Sequence, residues 1–122
     1  MIGYVTLGTN DIERAARFYD ALLGEIGAGR FMEGENYVAW AVSPETPALA
    51  LMKPHDGNPA TVGNGVMVAL VVDSTEKVDA LYKKALELGA TDEGAAGPRG
   101  EGFYAGYFRD PDGNKLNFFH MG

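Results

Sequence analysis

Residues 103–119 read FYAGYFRDPDGNKLNFF. Two aromatic-rich runs flank a short block of structure breakers, DPDGN at 110–114. Pro111 presets φ for a turn and Asp112-Gly113 allow the chain to reverse, so the stretch reads as strand, tight turn, strand. It is not a calcium loop, because further acidic ligands at the required spacing are absent. Side chains alternate along a strand. Lys115, Asn117 and Phe119 therefore share one face, and Leu116 and Phe118 the other. The apolar pair is expected under a helix, and the Asn117 set is expected to face a cavity. Before the turn, Phe103, Ala105 and Tyr107 alternate with Tyr104, Gly106 and Phe108. Either set can share the face of Asn117.

Upstream of this hairpin the pattern is VMVALVV (66–72) as a strand, then a helix capped by Asp73 or Ser74 and running to Leu88. Val78, Leu81, Tyr82, Ala85 and Leu86 form its apolar face, and Gly89 stops it. Residues 91–94 form a short strand, and GAAGPRGEG (94–102) a flexible loop. The same order occurs earlier. IGYVTLG (2–8) is a strand, and Thr9 or Asn10 caps a helix carrying Ile12, Ala15, Ala16, Tyr19, Leu22 and Leu23. Gly24 sits where a left-handed stop belongs, and strand-like stretches follow at 25–32, 37–42 and 48–53. Tyr4 matches Met67, and Phe18-Tyr19 match Leu81-Tyr82, at one constant interval. This is a duplicated βαβββ module. The expected fold is α+β: two βαβββ modules forming curled mixed sheets around a cavity, with the helices outside. The expected organisation is one domain, with module one at about 1–54, a breaker-rich linker at 54–65 and module two at about 66–122.

Composition narrows the function classes. The chain has 122 residues and is 46% hydrophobic, which fits a globular domain. It has no cysteine, which excludes disulfides, thiolate metal sites and a cysteine nucleophile. A reducing cytoplasm is the expected location. No basic-then-apolar leader precedes the first strand and no apolar run approaches ~18 residues, so neither secretion nor membrane insertion is expected. The net charge of −7 repels phosphate backbones and argues against a nucleic-acid partner.

YVTLGTNDIERAARFYDALLG, GNGVMVALVVDSTEKVDALYKKALELGA and FYAGYFRDPDGNKLNFF together resemble the vicinal oxygen chelate superfamily. That family includes glyoxalases, extradiol dioxygenases and bleomycin-binding proteins. The resemblance spans nearly the whole chain, and the DPDGN turn before a strand is its most specific element. It implies two βαβββ modules around one cavity, often completed in a homodimer. In metal-dependent members, four inward-facing strand positions hold a divalent cation through His or Gln, Glu, His and Glu. Carried onto this chain they fall on Tyr4, Ala50, Met67 and Asn117. None is a standard ligand, and together they offer a divalent cation no negative charge. The only histidines are His55, in the linker, and His120, whose parity is opposite to Asn117. No metal and no other cofactor is therefore expected.

The residues expected to line a ligand cavity are Tyr4, Thr6, Trp40, Ala50, Met67, Arg99, Tyr107, Asn117 and Phe119. Trp40 is otherwise ordinary core, and Met67 otherwise a gap filler. Arg99, in a glycine-flanked loop, suits the clamping of an anionic group. Asn117 is a neutral hydrogen-bonding anchor. The expected function is metal-independent binding of a small planar or hydrophobic ligand by a homodimer, as in bleomycin resistance. The alternatives are a lyase or dioxygenase-type enzyme with unusual site residues, Tyr4 being the candidate acid or base, and a structural protein with a filled cavity.

Overall fold

Asp11 opens the first helix. Its side chain accepts a hydrogen bond from the Arg14 amide at 3.1 Å, satisfying a donor that every helix start leaves free. The two residues before it have other work. The buried Thr9 hydroxyl receives the Asp11 amide. Asn10 clasps the backbone of Ala60, accepting from its N–H at 2.6 Å and donating to its carbonyl at 3.3 Å. Helix α1 (Ile12–Gly24) then buries Ala15, Ala16, Phe18, Tyr19, Leu22 and Leu23. Gly24 is its last residue and not the left-handed stop. That part falls to Gly27, at φ 80°, where the Gly27 and Ala28 amides bond the Gly24 and Leu23 carbonyls. Helix α2 (Thr75–Glu87) is capped by Ser74, and Gly89, at φ 108°, closes its end by the same pair of bonds.

The structure, a computed structural model, describes residues 1–122. The chain divides into two compact units, Met1–Val62 and Gly63–Gly122. In the first, strands β1 (Tyr4–Gly8), β2 (Gly29–Glu33), β3 (Tyr37–Ala41) and β4 (Ala48–Met52) form a sheet in the order β1-β4-β3-β2. In the second, β5 (Val68–Val71), β6 (Thr91–Pro98), β7 (Phe103–Arg109) and β8 (Lys115–Met121) form a sheet in the order β5-β8-β7-β6. Each unit is a βαβββ module whose first strand runs parallel to its last while the other pairings are antiparallel.

One helix covers one face of each sheet. Under α1 lie Leu7, Val38, Trp40, Leu49 and Leu51, all buried. Under α2 lie Phe108, Leu116 and Phe118, with the two rings stacked 5.7 Å apart. Gly106 permits the close approach of β7 to α2, since a Cβ there would stand 3.0 Å from the Tyr82 Cβ.

Two strand boundaries differ from the sequence reading. β5 begins at Val68, so Met67 precedes the strand and is 39% exposed. β6 continues to Pro98 through residues that read as loop, which leaves only 99–102 as the connection. Its Gly-Ala composition carries no strand propensity of its own. Pairing with β7 supplies the order, at the cost of two register shifts around Gly94.

The DPDGN turn is built on one buried carboxylate. Asp110 is 4% exposed. Its Oδ1 accepts from the Asp112 and Asn114 amides, both at 2.9 Å, and its Oδ2 from the Asn114 side-chain amide at 3.1 Å. Gly113, at φ 91°, completes the reversal.

Candidate functional site

The face of the first sheet turned away from α1 is open. Tyr4 stands opposite Ala48 and Thr6 opposite Ala50, which in turn faces Ala39. Alanines thus make a low floor. Its walls come from Tyr4, Tyr37, Met52 and the edge strand β2. There the register shifts between Arg30 and Met32, making Phe31 the extra residue of a bulge. The bulge sends Phe31 and Met32 together toward the floor and Arg30 back toward α1. The result is a cavity of about 340 Å³ with a mostly apolar lining, among whose residues Tyr4, Thr6, Tyr37 and Thr46 carry hydroxyls. Tyr4, Phe31 and Met32 are each more than half exposed.

Trp40 does not belong to this cavity, contrary to the sequence reading. It is 1% exposed and lies on the α1 side, tilted against Tyr19 at 5.7 Å, and its indole N–H donates to Asp20 at 2.8 Å. Asp20 also holds Arg30 through two bonds of 2.9 and 2.7 Å. The Arg30 hydrogen bond does most to hold the Asp20 carboxyl below its usual value, with the Trp40 bond adding to it against the opposing effect of burial. Strand parity in YVAWA offered two faces. The one bearing Val38 and Trp40 took the core because it carries more apolar volume than Tyr37, Ala39 and Ala41.

The second sheet also has an open face, and its register settles the parity that the sequence left undecided. Tyr107 pairs with Asn117 and Ala105 with Phe119, so Phe103, Ala105 and Tyr107 share the face of Asn117. Ala69 and Val71 of β5 join them. Phe103 and Phe119 stack at 5.5 Å. The Arg99 guanidinium lies 5.4 Å, and the Lys115 ammonium 5.6 Å, from the centre of the Tyr107 ring. Asn117 is 1% exposed, and its side-chain oxygen is buried with no hydrogen-bond partner. Met67, just outside the strand, is no part of the paired face.

The structure therefore groups Tyr4, Thr6 and Ala50 on one sheet, and Tyr107, Asn117 and Phe119 on the other, with the guanidinium of Arg99, from the connection after β6, near the Tyr107 ring. Sequence reasoning missed Phe31, Met32, Tyr37 and Ala39. Tyr37 and Ala39 follow once Trp40 is assigned to the core, whereas nothing in GRFME announces the bulge.

These residues do not fit a divalent cation. Tyr4, Ala50, Met67 and Asn117 include no carboxylate and no imidazole, and no three His, Asp or Glu side chains are grouped to hold a metal ion. His120 turns from the open face, with Nδ1 3.0 Å from the Val72 carbonyl oxygen. His55 lies on a separate polar hollow with Asn36 and Lys53.

Comparison with known proteins agrees with this architecture. The family model of the Glyoxalase/Bleomycin resistance protein/Dioxygenase superfamily matches residues 1–118. A glyoxalase/bleomycin resistance protein from Albidiferax ferrireducens T118 is 36% identical, with a TM-score of 0.91 over 100% of this chain and 99% of that one. A hypothetical protein from S. aureus is 26% identical, with a TM-score of 0.76 over 99% and 93%. A lactoylglutathione lyase from Agrobacterium tumefaciens, at 21% identity and a TM-score of 0.73 over 98% and 92%, shares the fold. No match was found among curated proteins.

Proposed function

The chain belongs to the Glyoxalase/Bleomycin resistance protein/Dioxygenase superfamily, and from that membership we propose that it binds a small planar or hydrophobic organic ligand without a metal, sequestering or carrying it. The cavity on the open face of the first sheet carries this reading. Its volume, about 340 Å³, falls within the range of small-molecule sites, and its lining of aromatic rings and thioethers over an alanine floor suits a flat apolar body. The few hydroxyl-bearing residues of the lining would orient such a ligand without demanding a charge on it.

A test uses N-phenyl-1-naphthylamine, an uncharged planar probe whose fluorescence rises in apolar surroundings. Saturable binding is expected. Ala50→Phe should weaken it at least about tenfold, because a ring on the floor displaces contact area worth more than about 1.4 kcal/mol. The melting temperature should move little, since the new ring points away from α1. Absence of saturable binding, or an unaffected variant, counts against the cavity. Trp40 emission is a poor reporter here, because the indole lies on the other side of the sheet.

Homodimer formation is part of the same proposal. An open apolar face with Tyr4 69%, Phe31 56% and Met32 54% exposed is the kind of surface that proteins cover in use. Sedimentation equilibrium is expected to return about twice the 13.0 kDa chain mass. A 13.0 kDa species alone would contradict a dimer.

A further inference from the structure

We propose that the polar hollow bordered by Lys53 and His55 is a second ligand site, for a small hydroxylated anion of the size of a sugar phosphate or a sugar acid. It shares no lining residue with the apolar cavity of the first sheet.

Its place follows from the topology. β1 and β4 run parallel and end side by side at Gly8 and Met52, and the antiparallel β3 begins next to them at Tyr37. The chain leaves that end of the sheet as Thr9-Asn10 and as Lys53-Pro54-His55, and enters it through Asn36. Backbone bonds carry the sheet past the strands. The Thr9 amide donates to the Met52 carbonyl at 3.1 Å, and the Lys53 amide to the Asn36 carbonyl at 2.9 Å. The segment after β4 then turns at Gly57, at φ 78°, whose amide donates to the Pro54 carbonyl. It returns to the end of β1, where Asn10 clasps both backbone groups of Ala60. Gly8 permits the approach, since a Cβ there would stand 3.0 Å from that of Ala60. The hollow framed in this way has a volume of about 420 Å³, within the range of small-molecule sites.

Its charge has one sign. Lys53 and His55 border the hollow, and no carboxylate does. The acids nearest to it in sequence are Asp11, Glu35 and Asp56. Asp11 accepts from the Arg14 amide and Asp56 from the Asn58 amide, so two of the three serve the backbone. Asp11 already caps α1, and the site therefore rests on side chains and not on the helix end. In a chain with 17 acidic and 10 basic side chains, a hollow bordered by a lysine and a histidine and by no acid selects for an anion. The Lys53 ammonium is a compact charge suited to phosphate or carboxylate, and the His55 ring carries an N–H donor whether or not it is protonated.

Asn36 and Asn58 decide what the anion is attached to. Their side chains, like those of Lys53 and His55, make no hydrogen bond or ion pair within the chain. Each amide offers a donor and an acceptor. A bare anion only accepts and leaves the amide carbonyls unanswered, whereas a hydroxyl answers both groups. Pro54 and Pro59 add apolar rings for the C–H faces of a polyol. They also restrict the segment, so less ordering falls to the ligand.

The test follows the two imidazoles by NMR at fixed pH during titration with glucose 6-phosphate, gluconate and glucose. His55 is expected to shift saturably with at least one of the two anions, and the tighter of them names the anionic group. Glucose should bind at least about tenfold more weakly. His120, at the Val72 carbonyl in the second unit, should not move. Lys53→Gln and Asn36→Asp should each weaken the anion at least about tenfold and leave the melting temperature nearly unchanged, since both positions are exposed. N-phenyl-1-naphthylamine should stay bound at saturating anion. The site is overturned by equal binding of glucose, by His55 and His120 shifting alike, by no saturation at about 20 mM, by an unaffected Lys53→Gln, or by displacement of the naphthylamine, which would put the anion in the apolar cavity. Failure of the naphthylamine to bind at all leaves the His55 titration intact, so the two sites fail separately.

Discussion

Asp110→Ala is expected to remove about 3 kcal/mol of unfolding free energy. The carboxylate is 4% exposed and receives three donors: the Asp112 amide, the Asn114 amide and the Asn114 side chain. Alanine leaves all three without an acceptor, and hydrogen bonds to a charged group contribute about 1.5–3 kcal/mol each before solvent compensates those it can reach. The loss falls on the turn that sets the register of β7 against β8, and hence on Asn117 and Tyr107 opposite each other. Asp110→Asn retains an acceptor for both backbone amides and loses the bond from the Asn114 side chain, so it should recover about half of the loss. Urea unfolding reads both. The midpoint should fall with an unchanged slope. An Asp110→Ala midpoint within error of the parent would mean that water replaces the carboxylate at no cost.

Trp40→Ala is expected to cost about 4 kcal/mol. The indole is fully enclosed beneath α1, so its removal leaves a cavity that helix and sheet cannot close. It also strips Asp20 of one donor. Trp40→Phe keeps most of the volume and should cost about 1–2 kcal/mol, separating the ring from the hydrogen bond. The same cluster gives a pH dependence of definite sign. Arg30 chiefly, and Trp40 with it, hold the Asp20 carboxyl below 3.8, its usual value. The unfolded chain therefore takes up the proton first as pH falls. The stabilisation is complete above the usual value and is lost as pH drops through the lowered one. Asp20 and Arg30 are partly exposed, with side chains 43% and 35% accessible, so solvent and salt keep the effect small. In Asp20→Asn the decline of the urea midpoint below about pH 4 should flatten. A decline of unchanged steepness would show that other carboxylates account for it.

These clusters also show why parts of the molecule were legible in the chain and others were not. The helices were, because an apolar stripe at helical spacing and a glycine beyond its end are properties of neighbours in sequence. Even so, the first cap was displaced to Asp11, since Asn10 had a partner at Ala60 that no local reading could supply. The side of the sheet taken by Asn117 and by Leu116 was legible as well, because side chains on a strand alternate with a period of two. Phe103–Phe108 became assignable only when β7 paired with β8, since both alternate sets are aromatic and either would fill a core.

The cavity of the first sheet was half legible. Tyr4, Thr6 and Ala50 follow from alternation. Phe31 and Met32 reach it through a bulge, and Trp40 leaves it for Asp20, through pairings that join distant parts of the chain. Local order thus belonged to the sequence: two βαβββ repeats, the Gly89 stop of the second helix, the DPDGN reversal and the lack of metal-binding side chains at Tyr4, Ala50, Met67 and Asn117, although the first helix closes at Gly27 and not at Gly24. What tertiary structure decided was which of two possible faces each strand buried, where β6 continued through Gly and Ala, and how Arg99 and Lys115 each came within 6 Å of the Tyr107 ring. Periodicity is written in consecutive residues, but strand register, bulges and the burial of the Asn117 oxygen without a donor depend on what the rest of the fold places opposite them.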